Sequence, residues 1–168
     1  MASRSAPRSV EPLDAPGARR AALDALARRD HGSGELARKL LASGYDARIV
    51  TALIEGLAAE RLLNDRRYVE NFIAYHAARG EGPVRVRAAL HKRGVEGEVV
   101  EELLAAHPDW IVQLRKVREK KFGASLPTGY ADRQRQMRFL GYRGFTGAQI
   151  RTALGFDIDL DDEREEPF

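Results

Sequence analysis

The sequence predicts an all-α protein: three tandem three-helix repeats forming a short curved solenoid. Three observations carry this. First, Gly44, Gly94 and Gly144 stand fifty residues apart, and the residues around them recur in step. Leu40, Leu90 and Leu140 precede them, and Tyr45, Val95 and Phe145 follow directly. Val50, Val100 and Ile150 come next, then Ile54, Leu104 and Leu154. A leucine, a glycine stop and a resumed apolar pattern mark one helix ending and another beginning. Second, Ala, Leu, Arg and Glu dominate, and these residues favour helix. Third, β-branched residues never alternate with polar ones over a useful length, so no strand is expected.

The elements follow in order. Residues 1–16 read as a disordered N-terminal tail. The Arg-rich, acid-free start resembles an organelle transit signal only until Pro7, Pro12 and Pro16 interrupt it, and a plain tail is the preferred reading. A first helix should begin near Pro16–Ala18, burying Ala22, Leu23 and Leu26. Ser33 is the expected cap of the second, with Leu36, Leu40 and Leu41 inward and a stop at Gly44. Asp46 should cap the third, with Ile49, Val50, Leu53, Ile54 and Leu57 inward. Asn64–Asp65 opens the second repeat, whose first helix presents Tyr68, Val69, Phe72, Ile73 and His76. Pro83 suits a first turn. Val86 and Leu90 then lead to Gly94, and Val99, Val100, Leu103 and Leu104 follow. Pro108–Asp109 opens the third repeat, with a helix from Trp110 through Leu114 and Val117 to Phe122. A looser connection, 123–129, leads to the next helix, and Thr146 with Gln149 forms a capping-box pattern before the last. The expected division is 17–60, 61–107 and 108–156 for the repeats, with 157–168 an acidic disordered tail.

Composition narrows the function classes. The chain has 168 residues, enough for one sizeable domain or a short solenoid. It has no cysteine, which removes disulfides, thiolate nucleophiles and cysteine-ligated metals, and fits a reducing, cytoplasmic compartment. No apolar run is long enough to cross a bilayer. The net charge of +3 is unevenly spread: Asp157–Phe168 has seven acids and one base, so it carries −6 and residues 1–156 carry +9. A basic body beside an acidic segment suggests a polyanion or an acidic protein surface as partner.

No catalytic, cofactor or metal site can be nominated. His31, His76, His91 and His107 show no metal-ligand spacing. The Gly80–Pro83 stretch lacks the preceding strand and the Lys-Ser/Thr ending of a phosphate loop. No serine sits in a nucleophile elbow, and the carboxylates are dispersed. The chain therefore reads as a non-enzyme with no cofactor. What remains is basic surface: Arg79, Arg85, Arg87, Lys92 and Arg93 in the second repeat, and Arg115, Lys116, Arg118, Lys120, Lys121, Arg133, Arg135, Arg138 and Arg143 in the third. Spacings of three and four place subsets on common faces, as for Lys116 with Lys120 and Arg135 with Arg138. Such faces bind phosphates by charge and bidentate hydrogen bonds, or simply pair with acids such as Glu119 and Asp132. Tyr130, Phe139, Tyr142 and Phe145 lie among these bases. Phe145 falls on a repeat core position, whereas Tyr142 suits either packing or stacking.

Longer stretches now become recognisable. The segments HGSGELARKLLASGY (31–45), LLNDRRYVENFIAYHAARGEGPVRVRAALHKRGV (62–95) and KKFG with RQRQMRFLGYRGF (120–145) resemble the RecX family, modulators of the RecA recombinase. The resemblance covers about residues 18–155. It implies three three-helix repeats, which the residues predict separately. It also implies binding to RecA filaments on single-stranded DNA, lodged in the filament groove, with inhibition of recombination, ATP hydrolysis and co-protease activity in DNA repair and the SOS response. It implies no cofactor or catalytic residue, and its contact residues transfer only to the basic positions just named. The two terminal segments fall outside it. The rival reading is a direct DNA-binding protein of tandem helix–turn–helix-like units, without a recombinase partner. A monomer is expected in either case.

Overall fold

The computed structural model describes residues 14–107 and 109–155, so the expectations for both tails lie largely outside the described residues. Among the described residues there are nine helices and no strand: α1 (Ala15–Arg28), α2 (Ser33–Ala42), α3 (Ala47–Ala59), α4 (Asp65–Ala78), α5 (Pro83–Lys92), α6 (Glu98–Ala106), α7 (Trp110–Phe122), α8 (Tyr130–Tyr142) and α9 (Gly147–Leu154). None of them is long and apolar enough to cross a membrane. The all-α expectation holds.

The capping residues explain most of the boundaries. Asp14 accepts a hydrogen bond from the Gly17 amide at 2.8 Å, so α1 starts slightly earlier than its proline suggests. Asp46, Asn64 and Thr146 accept from the amides of Arg48, Arg67 and Gln149, and Gln149 completes the capping box. Ser33 departs from expectation. Gly32 holds the cap position, while the Ser33 amide and hydroxyl both donate to the Asp65 carboxylate, the amide at 2.7 Å. Within α1 the buried stripe is Ala18, Ala22 and Ala25, and Leu23 is exposed. The small side chains let α1 lie close to α2 and α3, against which it packs. Leu41 and Val99, expected inward, are also exposed.

The fifty-residue period is a period of burial. All three residues in each of the sets Leu40/Leu90/Leu140, Tyr45/Val95/Phe145 and Val50/Val100/Ile150 are buried. The Tyr45 and Phe145 amides donate to the Leu40 and Leu140 carbonyls, and the Gly44 and Gly144 amides to those of Leu41 and Gly141. This pair of bonds closes a helix when the residue between adopts positive φ, and the three glycines have φ of 92°, 72° and 89°.

The second and third glycine turns receive the preceding repeat. The Gly82 amide donates to the Arg143 carbonyl at 2.8 Å and the Val84 amide to the Gly144 carbonyl at 3.0 Å. A Cβ on Gly82 would lie 2.3 Å from the Gly144 carbonyl carbon. Fifty residues earlier the arrangement recurs: a Cβ on Gly34 would lie 2.3 Å from the Gly94 oxygen, and one on Gly32 2.6 Å from Val95. The start of one repeat's middle helix thus abuts the glycine turn of the next. In the third repeat the register differs, because α8 begins at Tyr130 and already includes Asp132 and Gln134, the counterparts of the two docking positions. There the Asp132 carboxylate accepts from Arg135 at 2.6 Å and from Gln136 at 3.1 Å.

Two compact units result. The first runs to Tyr68 and includes the Arg93–Val95 turn; the second holds Val69–Lys92 and the chain from Glu96. The turn joins the first unit because Gly32 and Gly34 close upon it. The first unit's core contains Ala18, Ala22, Ala25, Leu36, Leu40, Tyr45, Val50, Leu57 and Leu63. Buried residues of the second include Val69, Ile73, Val86, Leu90, Val100, Leu104, Trp110, Leu114, Leu140, Phe145, Ile150 and Leu154. Trp110 Nε1 donates to the Leu104 carbonyl at 2.8 Å, which satisfies its one polar atom inside the core.

A polar cluster flanks the start of α2. Arg29 donates to both oxygens of Glu35 at 2.6 and 3.1 Å, and the Tyr68 hydroxyl donates to Glu35 at 3.3 Å. Burial pushes the Glu35 carboxyl up, but Arg29, the His31 charge and the Tyr68 hydroxyl together hold it below the usual value. Its contribution to stability is full above the unfolded glutamate value of about 4.3 and is lost as pH falls through the lower folded value. Glu35→Gln should therefore flatten the acid limb of a melting-temperature profile recorded between about pH 3 and pH 7. An acid limb unchanged by the substitution would contradict this.

Gly144→Ala should be costly twice over. Its Cβ would stand 2.4 Å from Arg85 Cβ and 2.6 Å from the Arg85 amide nitrogen, and φ is 89°. The expected loss is about 3–4 kcal/mol by urea denaturation. Gly97→Ala, at φ of 108° with open space around it, should lose about 1–3 kcal/mol, from backbone strain alone. Equal losses would show that the close approach contributes nothing.

Candidate anion-binding cleft

Helix α7 uses two faces for two purposes. Trp110, Leu114 and Arg118, four apart, are buried. Gln113, Lys116, Val117 and Lys120 recur at three- and four-residue spacing on another face, which forms one wall of a cleft. The end of α4 and the turn after it supply Ala78, Arg79 and Gly80, and the end of α8 supplies Phe139 and Arg143. With Lys121 these residues line an open cleft of about 430 Å³. Gly80 allows the walls to meet: φ is 76°, and a Cβ there would lie 2.3 Å from Val117 Cγ2.

Five cations (Arg79, Lys116, Lys120, Lys121 and Arg143) line this cleft, and no described carboxylate does. Aromatic rings hold the arginines in place. Arg79 Cζ lies 5.4 Å from the Tyr75 ring centroid and donates to the Tyr75 hydroxyl at 3.3 Å. Arg143 Cζ lies 5.6 Å from the Phe139 centroid. Phe139 meets Phe122 edge-on at 5.3 Å, and Arg135 lies 5.4 Å from the Phe122 centroid. Lys121, Phe122, Arg135 and Phe139 line an adjoining recess. The arrangement suits an anionic chain: fixed positive charge on the walls, with Ala78, Val117 and Phe139 as apolar surface between them.

The other basic residues behave differently. Arg87 donates to both oxygens of Glu101 at 2.7 Å; this hydrogen bond raises the arginine and lowers the carboxyl. Arg85 lies 3.7 Å from Glu81, donates to the Tyr142 carbonyl at 3.4 Å, and lies against Gly144. Arg133 donates to the Thr128 carbonyl at 3.4 Å. Arg115 and Arg138 are exposed on α7 and α8, outside the cleft lining, and Lys92 and Arg93 close α5 and its turn. Arg118 is a correction to the expected basic surface. It is 2% exposed, and its guanidinium donates to the Ala124 and Ser125 carbonyls at 2.8 and 2.9 Å. A cation at the end of a helix, bonded to carbonyls of the following loop, is structural. Gln113 and Gly80 belong to the cleft although neither was singled out by residue type or motif. Gln113 precedes Lys116 by three, a weak signal; the role of Gly80 rests on a distant neighbour.

Comparison with known proteins decides the kinship. Profiles of the RecX first, second and third three-helix domains match residues 18–57, 64–104 and 111–154. The regulatory protein RecX of Halorhodospira halophila is 46% identical over 147 residues, covering 87% of this chain and 91% of that protein. The chain belongs to the RecX family. The regulatory protein RecX of Pseudomonas savastanoi pv. phaseolicola is 43% identical over 135 residues, 79% of this chain and 87% of that one. The crystal structure of RecX from Lactobacillus salivarius shares the fold, with a TM-score of 0.74 at 20% identity, covering 84% of this chain and 94% of that one. A second regulatory protein RecX gives 0.69 at 16% identity, over 84% and 71%. The RecX relationship and the cleft thus rest on independent observations.

Arg118→Ala should cost about 2–3 kcal/mol in chemical denaturation, since two carbonyls and a buried stem lose their partner. Lys120→Ala, on the cleft face, should change stability by less than about 0.5 kcal/mol. Similar values for the two would refute the division between structural and cleft-facing bases on α7.

Proposed function

We propose that this chain is a non-enzymatic regulator that binds RecA filaments on single-stranded DNA and lowers recombinase, ATPase and co-protease activity. It acts as a cytoplasmic monomer in DNA repair and the SOS response. Membership of the RecX family supports the partner, and the curated relatives are named regulatory proteins. The observation that carries the reading is the cleft of Arg79, Lys116, Lys120, Lys121 and Arg143, which suits a phosphate backbone or an acidic filament surface. The remaining basic positions contribute general attraction, and Arg118 contributes by holding α7 and its loop.

The test is RecA-dependent ATP hydrolysis on single-stranded DNA. The chain should inhibit it at well below one molecule per recombinase. Combined Lys116→Ala, Lys120→Ala and Arg143→Ala substitution should raise the concentration needed by about tenfold or more. Combined Arg133→Ala, Arg135→Ala and Arg138→Ala substitution should have a smaller effect. Unchanged ATP hydrolysis and filament length at a full equivalent would sink the proposal. Tight, sequence-dependent binding to naked DNA with no effect on the filament would favour the direct DNA-binding alternative.

A further inference from the structure

We infer that the acidic segment Asp157–Glu166 of this chain occupies the Arg79–Lys116–Lys120–Lys121–Arg143 cleft when no external polyanion fills it. The inference rests on the proposed reading of that cleft as an anion-binding surface, and adds a competitor built into the same chain.

Charge complementarity is the first argument. The segment has seven carboxylates against one guanidinium, and the cleft has five cations and no described carboxylate. Like-signed ammonium and guanidinium groups held around one cavity repel each other, and an anionic occupant relieves that repulsion. The second argument is pattern. Phe156, Ile158 and Leu160 alternate with Asp157, Asp159 and Asp161. A period of two sorts apolar and acidic side chains to opposite sides of an extended segment. The cleft offers both surfaces, with Ala78, Val117 and Phe139 between the cations.

Reach is the third argument. Helix α9 ends at Leu154 and packs against α7, the helix that carries the three cleft lysines. Ten residues extend to about 33–36 Å, whereas α7, at thirteen residues, is about 20 Å long. A segment tethered so near presents its charges at an effective concentration on the order of millimolar. An external polyanion must displace it, so the contact weakens adventitious binding and yields to a long, highly charged partner.

The experiment uses the full chain. A zero-length carbodiimide joins carboxylates to amines in contact, and the chain has five lysines: Lys39, Lys92, Lys116, Lys120 and Lys121. Peptide mapping of the cross-linked monomer should find residues 157–166 joined to Lys116, Lys120 or Lys121, with those links lost on adding excess single-stranded oligonucleotide. A full-length variant with the four aspartates changed to asparagine and the three glutamates to glutamine should bind that oligonucleotide about tenfold more tightly at about 50 mM salt, the gap closing near 0.3 M. Links spread evenly over Lys39 and Lys92, links found only between two copies, or equal affinities of the two forms would overturn the inference. Absent filament inhibition with intramolecular cleft links intact would remove the proposed function and leave this contact standing. Normal filament inhibition without those links would do the reverse.

Discussion

The architecture depends on backbone meeting backbone at the glycine turns. Each of the two contacts places the start of a middle helix on a turn one repeat ahead, with virtual Cβ positions only 2.3 Å from peptide atoms. No side chain fits at Gly34 or Gly82, so these two glycines are set by contact distance, beside the helix-terminating role of Gly44, Gly94 and Gly144. The hydrogen bonds from Gly82 and Val84 also give two orphan amides at a helix start their acceptors. This explains why the compact units cross the repeat borders: a turn goes with the helix that rests on it.

The cleft depends on the same device. Gly80 lets the end of α4 close on Val117, and α7 then points its basic face into the space left beside Phe139. Arg79 and Arg143 lie over the Tyr75 and Phe139 rings, and none of the cleft-lining residues is a carboxylate. Bases elsewhere are largely engaged: Arg87 by Glu101, Arg135 by Asp132, Arg118 by loop carbonyls. A count of arginines and lysines therefore overstates what a ligand meets.

Much of the fold was legible in the sequence because it is written in spacing. The leucine–glycine–apolar register marked the turns, and Asp46, Asn64 and Thr146 marked helix starts through local hydrogen bonds. The errors came from long-range geometry. Asp65 reaches back thirty-two residues to Ser33, and the alanine stripe of α1 reflects the closeness of its neighbours. For the candidate site, charge pointed to the right helices but not to the right members. Arg118 and Lys120 differ by two positions, and only the packing of α7 sends one to the core and the other to the cleft.

The altered register of α8 has a consequence for the array itself. In the first two repeats the docking positions are Gly32 and Gly34, then Gly82 and Val84; in the third they are Asp132 and Gln134, inside a helix that begins one turn earlier. Asp132 spends its carboxylate on its own helix, and it puts a side chain where Gly32 and Gly82 have none. The third repeat thus lacks the bare-peptide site that Gly82 gives the second, and its middle helix closes on its own side chains instead.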